Sequence, residues 1–519
     1  MIRKNTTITT AIFVAVAAVL LAVHGQRLVL TNDEGIVLDT AQRIAAGQRP
    51  YVDFATYMSP GSYWLQAIVF HWLGLALWTG RLIVVLDFSL QCALVYWLVA
   101  RLASRPVAVA TVLAFAGFQI ADPSLLTAQH RWDSSALALA GVCMAVAANR
   151  RAAWWFGSGA LLAAAAWCTP SVLLVGTAVG GWLLLGSERR RNLVPFAGGV
   201  AAITLAALAT LAATGSLSGF FHQMFWLRQN YSALNNMPYG SIIGGYRALF
   251  EGTHGFADTA VRVLLVACVA LPAILPIAAM LLWGALLSWR GKVPAEQRPV
   301  IVLLLLAAGV FVITTFPRAD VMHLAFVAAL PYALAAAALA RLLPSRAGAA
   351  LAMGSTLLAS LFAWNYVKGW NQTVPVSTPV GTLRVAPGQA SELSALLATV
   401  HPGETLFVYP YMPVQYFFTQ AKNPTPFCAL GPGMTTPQQE SEGLEALQKA
   451  PPEWLLYMQL SREEFLRVFP NGTNLNYRLD RVENWMQQNY RLVEGPRVSL
   501  GGYRLWHRAS APESASLLK

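Results

Sequence analysis

The chain has 519 residues, 56% of them hydrophobic and only 12% charged, and a formal net charge of +12. A charged fraction about half that of ordinary soluble domains excludes a wholly water-soluble protein. The positive balance does not point to nucleic acid either, because it is scattered in short clusters between hydrophobic runs.

The first apolar run, 8–23, follows Arg3 and Lys4. No small-residue cleavage site precedes His24-Gly25-Gln26-Arg27, so the run reads as an uncleaved span. Thr31-Asn32-Asp33-Glu34 comes next. Thr31 and Glu34 have capping-box spacing and acids suit a first helical turn, so this tetrapeptide predicts a helix over 34–46, stopped by Gly47. The same acids also emerge at the water–lipid boundary, where a lipid-linked substrate presents its head group. A carboxylate there can take a proton from an attacking hydroxyl, which makes Asp33 and Glu34 candidate catalytic residues. After a turn-rich piece, Pro60-Gly61 opens a second helix, 62–77, with Tyr63, Trp64, His71 and Trp72. Its aromatic content suits a helix lying in the membrane interface.

A spanning helix needs ~20 mostly apolar residues. Further candidates run over 82–100, 107–120, 132–148, 152–167, 172–185, 193–213, 263–287, 300–316, 321–343 and 349–366, for about eleven spans with the first. With the N-terminus in the cytoplasm, the inner loops carry Arg101/Arg105, Arg150/Arg151, Arg189/Arg190/Arg191, Arg290/Lys292/Arg298 and Arg341/Arg346. Every inner loop is then basic, as the positive-inside rule requires. The reading is a polytopic all-α membrane domain, 1–366, with 26–81 as its first outer loop. A second long outer loop, 214–258, carries Phe220, Phe221, Phe225, Trp226 and Arg228. From 371 to 519 the texture is that of a soluble domain. Thr405-Leu406-Phe407-Val408-Tyr409 and Trp454-Leu455-Leu456-Tyr457 read as strands, 442–450 and 481–488 as helices, and Tyr503 onward as a final strand. That is a small α/β domain on the outer side. Of the five cysteines, four lie in apolar runs, and none has zinc-ligand or redox-motif spacing.

Three polar clusters share the outer face: Asp33/Glu34, His130-Arg131-Trp132-Asp133, and Arg318-Ala319-Asp320 with His323. Each has a bland reading. Arg131 can snorkel, Asp133 can cap a helix, and Arg318 with Asp320 can be a local ion pair. Their common depth favours a shared cavity, since ionisable residues at span mouths are costly. Such a cavity suits transfer from a lipid phosphate, in which cations steady the leaving group. Arg131, Arg318, His323 and Arg228 are the candidates for the donor phosphate, and His130, Asp133, Asp320 and Tyr63 for other substrate contacts. No nucleotide-binding motif is present.

Asp33-Glu34, Gln48-Arg49-Pro50-Tyr51 and Ser59-Pro60-Gly61-Ser62-Tyr63-Trp64 together resemble the first outer loop of the GT-C glycosyltransferases, in particular the aminoarabinose transferase and protein O-mannosyltransferase group. The resemblance covers the membrane region. It implies a transferase in the bacterial inner membrane that uses a polyprenyl-phosphate-linked sugar on the periplasmic face, with Asp33 as base and a glycolipid, glycan or protein as acceptor. It departs at Met58-Ser59-Pro60, where aminoarabinose transferases carry Lys-Pro-Pro, so the phosphate-binding cation must come from elsewhere. Some GT-C enzymes bind a divalent metal through outer-loop acids. Asp33 and Asp133 leave that open, although two acids alone make a weak metal site. The alternative class is a multi-span transporter or flippase of a lipid-linked sugar. It would be marked by polar residues lining a through-path rather than one outer cavity.

Overall fold

The computed structural model describes residues 2–56, 58–148, 151–186, 189–252, 255–289, 291–493 and 500–509. Of the basic inner-loop residues, Arg150 and Arg290 lie outside this set. Helices α1 (Ile2–Val23), α2 (Asn32–Ala45), α3 (Gly61–Leu73), α4 (Leu77–Leu102), α5 (Arg105–Ile120), α6 (His130–Ala148) and α7 (Ala152–Cys168) come first. They are followed by α8 (Leu173–Leu184), α9 (Arg189–Ala213), α10 (Leu217–Leu234), α11 (Gly255–Ser288), α12 (Arg298–Ile313), α13 (Val321–Phe326), α14 (Ala329–Leu342) and α15 (Ser345–Asn371). Among the described residues, α1, α4, α9, α11, α12 and α15 are long and apolar enough to cross a membrane. Helices α5, α7, α8 and α14 are apolar but shorter. This is a multi-pass membrane protein.

Helix α4 is the hub of the bundle, packing against α1, α5, α6 and α14. Val84, Phe88, Cys92, Val95 and Val99 of α4 all lie in the main apolar core. The helix is longer than its apolar run because Gly74, in the left-handed region at φ 80°, stops α3 early. Thr79 then caps the new start by receiving the backbone N–H of Ala76. Arg81, expected in a loop, is thereby carried on a buried helix. The expected span 321–343 is broken. Helix α13 ends at Phe326 and α14 resumes at Ala329, where Pro331 has no N–H to continue the ladder.

The remainder builds a mixed α/β region: β1 (Val374–Thr378), β2 (Gly381–Val385), α16 (Pro387–Thr399), β3 (Leu406–Tyr409), α17 (Val414–Thr419), α18 (Pro437–Lys449) and β4 (Trp454–Tyr457). Helices α19 (Arg462–Val468) and α20 (Asp480–Asn489) and strands β5 (Tyr490–Leu492) and β6 (Arg504–Arg508) complete it. β1 and β2 form an antiparallel hairpin; the other sheet has the order β3-β4-β6-β5, with only the β3–β4 pair parallel.

The first outer loop is not free-standing. Val37 and Leu38 of α2 and Tyr63 and Phe70 of α3 share a core with Leu406, Val414 and Phe417. The rings of Phe70 and Phe417 stack at 5.6 Å. Gly35 permits this docking, because a Cβ there would lie 2.2 Å from the backbone nitrogen of Val414. The opposite face of α3 leaves Ile68, Trp72 and Leu73 exposed, as an interfacial helix would.

Candidate active site

A cavity of about 380 Å³ lies where the outer loops meet the C-terminal region. Asp33, Tyr63, His130, Arg131, Arg318, Asp320 and His323 all line it. The three sequence clusters therefore converge on one cavity. Glu34, Asp133 and Arg228 do not line it.

Asp33 stands in the first turn of α2, started by Thr31, whose hydroxyl accepts the Glu34 backbone N–H at 3.3 Å. Asp33 is exposed and open to the cavity. Desolvation raises its affinity for a proton, the nearby Arg318 and Arg131 oppose that, and Asp320 reinforces it, so the carboxyl is raised overall. Among the described residues, the side chains of Asp33 and Arg131 make no hydrogen bond or ion pair. An acid and a cation whose side chains are unpaired and face one cavity mark a candidate ligand site.

Arg318 is differently placed. Its Nε lies 3.1 Å from Asp320 Oδ2 and its Nη1 donates to Asn235 Oδ1 at 2.9 Å. Its guanidinium also stands 5.9 Å from the ring centroid of Phe469. Asp320 caps α13, taking the His323 backbone N–H at 2.9 Å and the His323 Nδ1 at 2.7 Å. Burial alone would raise the Asp320 carboxyl. The hydrogen bonds and charge of His323, with Arg318, outweigh it and hold the group down at about 2. An ionised carboxylate can only accept, so His323 Nδ1 carries a proton. The loop is held against the segment that follows α10 by backbone bonds, Met237 N to Pro317 O and Gly240 N to Ala319 O.

The other expected residues are used elsewhere. Glu34 is turned inward, with Oε1 2.8 Å from Arg81 Nε and both side chains wholly buried. It also accepts the Ala128 backbone N–H at 3.3 Å. Asp133 faces Asp87 within the bundle, so it cannot share a cation with Asp33. Among the described residues no group of three or more His, Cys, Asp or Glu is placed to hold a metal ion. Arg228 is exposed, on the opposite face of α10 from Trp226 and Asn230, which line the cavity. His130 lines it with Nδ1 2.8 Å from Thr169 Oγ1.

Several lining residues fall outside the three sequence clusters. The indole N–H of Trp226 is buried and has no partner among the described residues. Asn32 Oδ1 accepts the backbone N–H of Met412 at 3.2 Å, tying a C-terminal loop to the residue beside Asp33. Tyr411 and Met412 both adopt positive φ, 59° and 55°, and Met58 lines the cavity at the position of the missing lysine. A larger groove of about 740 Å³ between α5, α11, α14 and α15 has no charged side chain in its lining.

Residues 57–213 match the model of the dolichyl-phosphate-mannose-protein mannosyltransferase family. No curated protein matches the chain by sequence. Among solved structures, the apo oligosaccharyltransferase of Archaeoglobus fulgidus is 11% identical with a TM-score of 0.50, over 87% of this chain and 69% of that one. ArnT from Cupriavidus metallidurans bound to undecaprenyl phosphate is 14% identical with a TM-score of 0.46, over 97% of this chain and 98% of that one. The family match over residues 57–213 and the shared helical fold support a GT-C superfamily glycosyltransferase.

Proposed function

We propose that this glycosyltransferase moves a sugar from a polyprenyl-phosphate carrier to an acceptor hydroxyl or phosphate at the periplasmic face of a bacterial inner membrane. The observation that carries this reading is the unpaired Asp33 carboxylate, open to a cavity that also holds the unpaired Arg131. The name of the matching family, which specifies a dolichyl-phosphate-linked donor, supports a lipid-phosphate leaving group. Convergence of three clusters on one cavity favours this reading over a transporter.

In the proposed reaction the acceptor hydroxyl gives its proton to Asp33 as its oxygen bonds to the anomeric carbon. The bond from that carbon to the phosphate oxygen breaks, and the electron pair leaves with polyprenyl phosphate. Arg131 meets the charge that develops there. Arg318 contributes its field and its remaining N–H groups, with Asp320 and Asn235 fixing its plane. Residues 1–366 form the catalytic membrane domain in this reading, and 371–519 a periplasmic domain.

The test is turnover in lipid nanodiscs with a panel of undecaprenyl-phosphate sugars, read as release of undecaprenyl phosphate. Asp33→Asn should release about 10²–10⁴-fold less while staying folded. Near-normal release by that variant would refute the assignment.

A further inference from the structure

The cavity has two unlike walls. The membrane side carries Asp33, Arg131, Arg318, Asp320 and the two histidines. The side contributed after residue 371 carries no charged side chain; Tyr411, Met412, Met434 and Met458 are its partly exposed surfaces, with Phe469 and Tyr503 buried behind them. Its two phenol hydroxyls are already committed: Tyr411 donates to the Pro432 carbonyl and Tyr503 to the Pro410 carbonyl. What this wall offers a ligand is ring faces and thioethers. Five of the chain's 12 methionines line the cavity, and three of those come from this wall, so the enrichment is local. Methionine is flexible and polarisable, and it suits an apolar ligand of irregular shape.

We infer that this wall receives the apolar body of the acceptor, so that the acceptor is a hydroxyl carried on a hydrophobic scaffold, such as a terpenoid or long-chain alcohol. The inference rests on the reading of Asp33 as base. Met412 is pinned to Asn32, the residue before Asp33, so a molecule that brings its hydroxyl to Asp33 must pass this wall. A polysaccharide or a peptide backbone presents polar groups along its whole length. Burying those against a surface with no free side-chain donor is unfavourable. An apolar scaffold incurs no such cost, and its single hydroxyl meets the charged wall.

The experiment is photolabelling of the full chain in lipid nanodiscs. The probe is dodecyl glucoside with a diazirine on its alkyl chain, and the control is methyl glucoside with the same diazirine. The dodecyl probe should label the peptides holding Met412, Met434 and Met458, severalfold more than the control does. Unlabelled dodecyl glucoside should compete and free glucose should not. Met458→Gln, and separately the triple change Met412→Gln, Met434→Gln and Met458→Gln, should each lower this labelling in protein whose melting temperature is retained. Equal labelling by the methyl control, or none at these peptides by the dodecyl probe, overturns the inference. Competition by undecaprenyl phosphate also overturns it, since the wall would then hold the donor's chain. Asp33→Asn should keep the labelling, so failure of the base assignment and failure of the acceptor class read out separately.

Discussion

Glu34 and Arg81 form an ion pair at 2.8 Å with neither side chain reaching solvent, while Asp33, one residue earlier, faces an open cavity. The two acids of one dipeptide thus have opposite roles. Removing one partner of a buried pair typically costs about 3–5 kcal/mol, because the other charge is stranded. Glu34→Gln and Arg81→Met should each lower the melting temperature sharply. A double change to apolar residues of similar volume should recover much of the loss. A thermal shift series on purified protein checks this, and an unshifted Glu34→Gln would contradict it.

Asp33→Asn should behave in the reverse way. The carboxyl of Asp33 is raised in the folded state, with desolvation as the main cause. Its contribution to stability is therefore complete at low pH and is lost as pH rises past the unfolded value and through the folded one. At neutral pH the asparagine variant should melt no lower than the parent and lose about 10²–10⁴-fold in turnover, the range for a general base.

The same carboxyl gives a pH prediction. Activity needs Asp33 ionised, so the acid limb of kcat/KM should lie above the ordinary carboxylate range. Arg131 and Arg318 both pull Asp33 down. Arg131→Gln should accordingly move that limb to higher pH, beyond any loss of rate. A limb that stays in place would separate Arg131 from the base.

The two cavity arginines should differ in kind. Arg131 is unpaired, whereas Arg318 is bound by Asp320 and Asn235. A hydrogen bond to a charged group contributes about 1.5–3 kcal/mol, so Arg131→Ala should weaken undecaprenyl phosphate binding about ten- to a hundredfold. Binding of the uncharged polyprenyl alcohol should be unaffected. Arg318→Lys should cost activity through geometry, since lysine cannot copy the two-sided clamp. Asn235→Ala should reproduce part of that loss.

Orientation is testable by fusion. Alkaline phosphatase joined after Lys422 should be active if the α/β region lies in the periplasm, and cytoplasmic reporter activity at that site would invert the topology.

Much of the site was legible because it was local. Thr31 and Glu34 have cap spacing, and Thr31 does cap α2. The reciprocal half of the capping box is absent because Arg81 takes the Glu34 carboxylate, a pairing hidden while Arg81 was read as loop. The Arg318–Asp320–His323 cluster was visible at two- and three-residue spacing, but Asn235, 83 residues away, was not. Arg228 was misplaced because composition names a helix and not its face: Trp226 and Asn230 are one turn apart, and Arg228 lies opposite. Tyr411, Met412 and Phe469 carry no motif at all and reach the cavity only through tertiary packing.

Asn32 and Met412 join the beginning of the chain to a loop translated long afterwards. A nascent chain that has inserted α1 to α15 holds the acid and the arginines but lacks one wall of the chamber they face. Completion of the chamber is therefore deferred until the segment after residue 371 has folded, so the finished cavity depends on the end of synthesis rather than on membrane insertion alone.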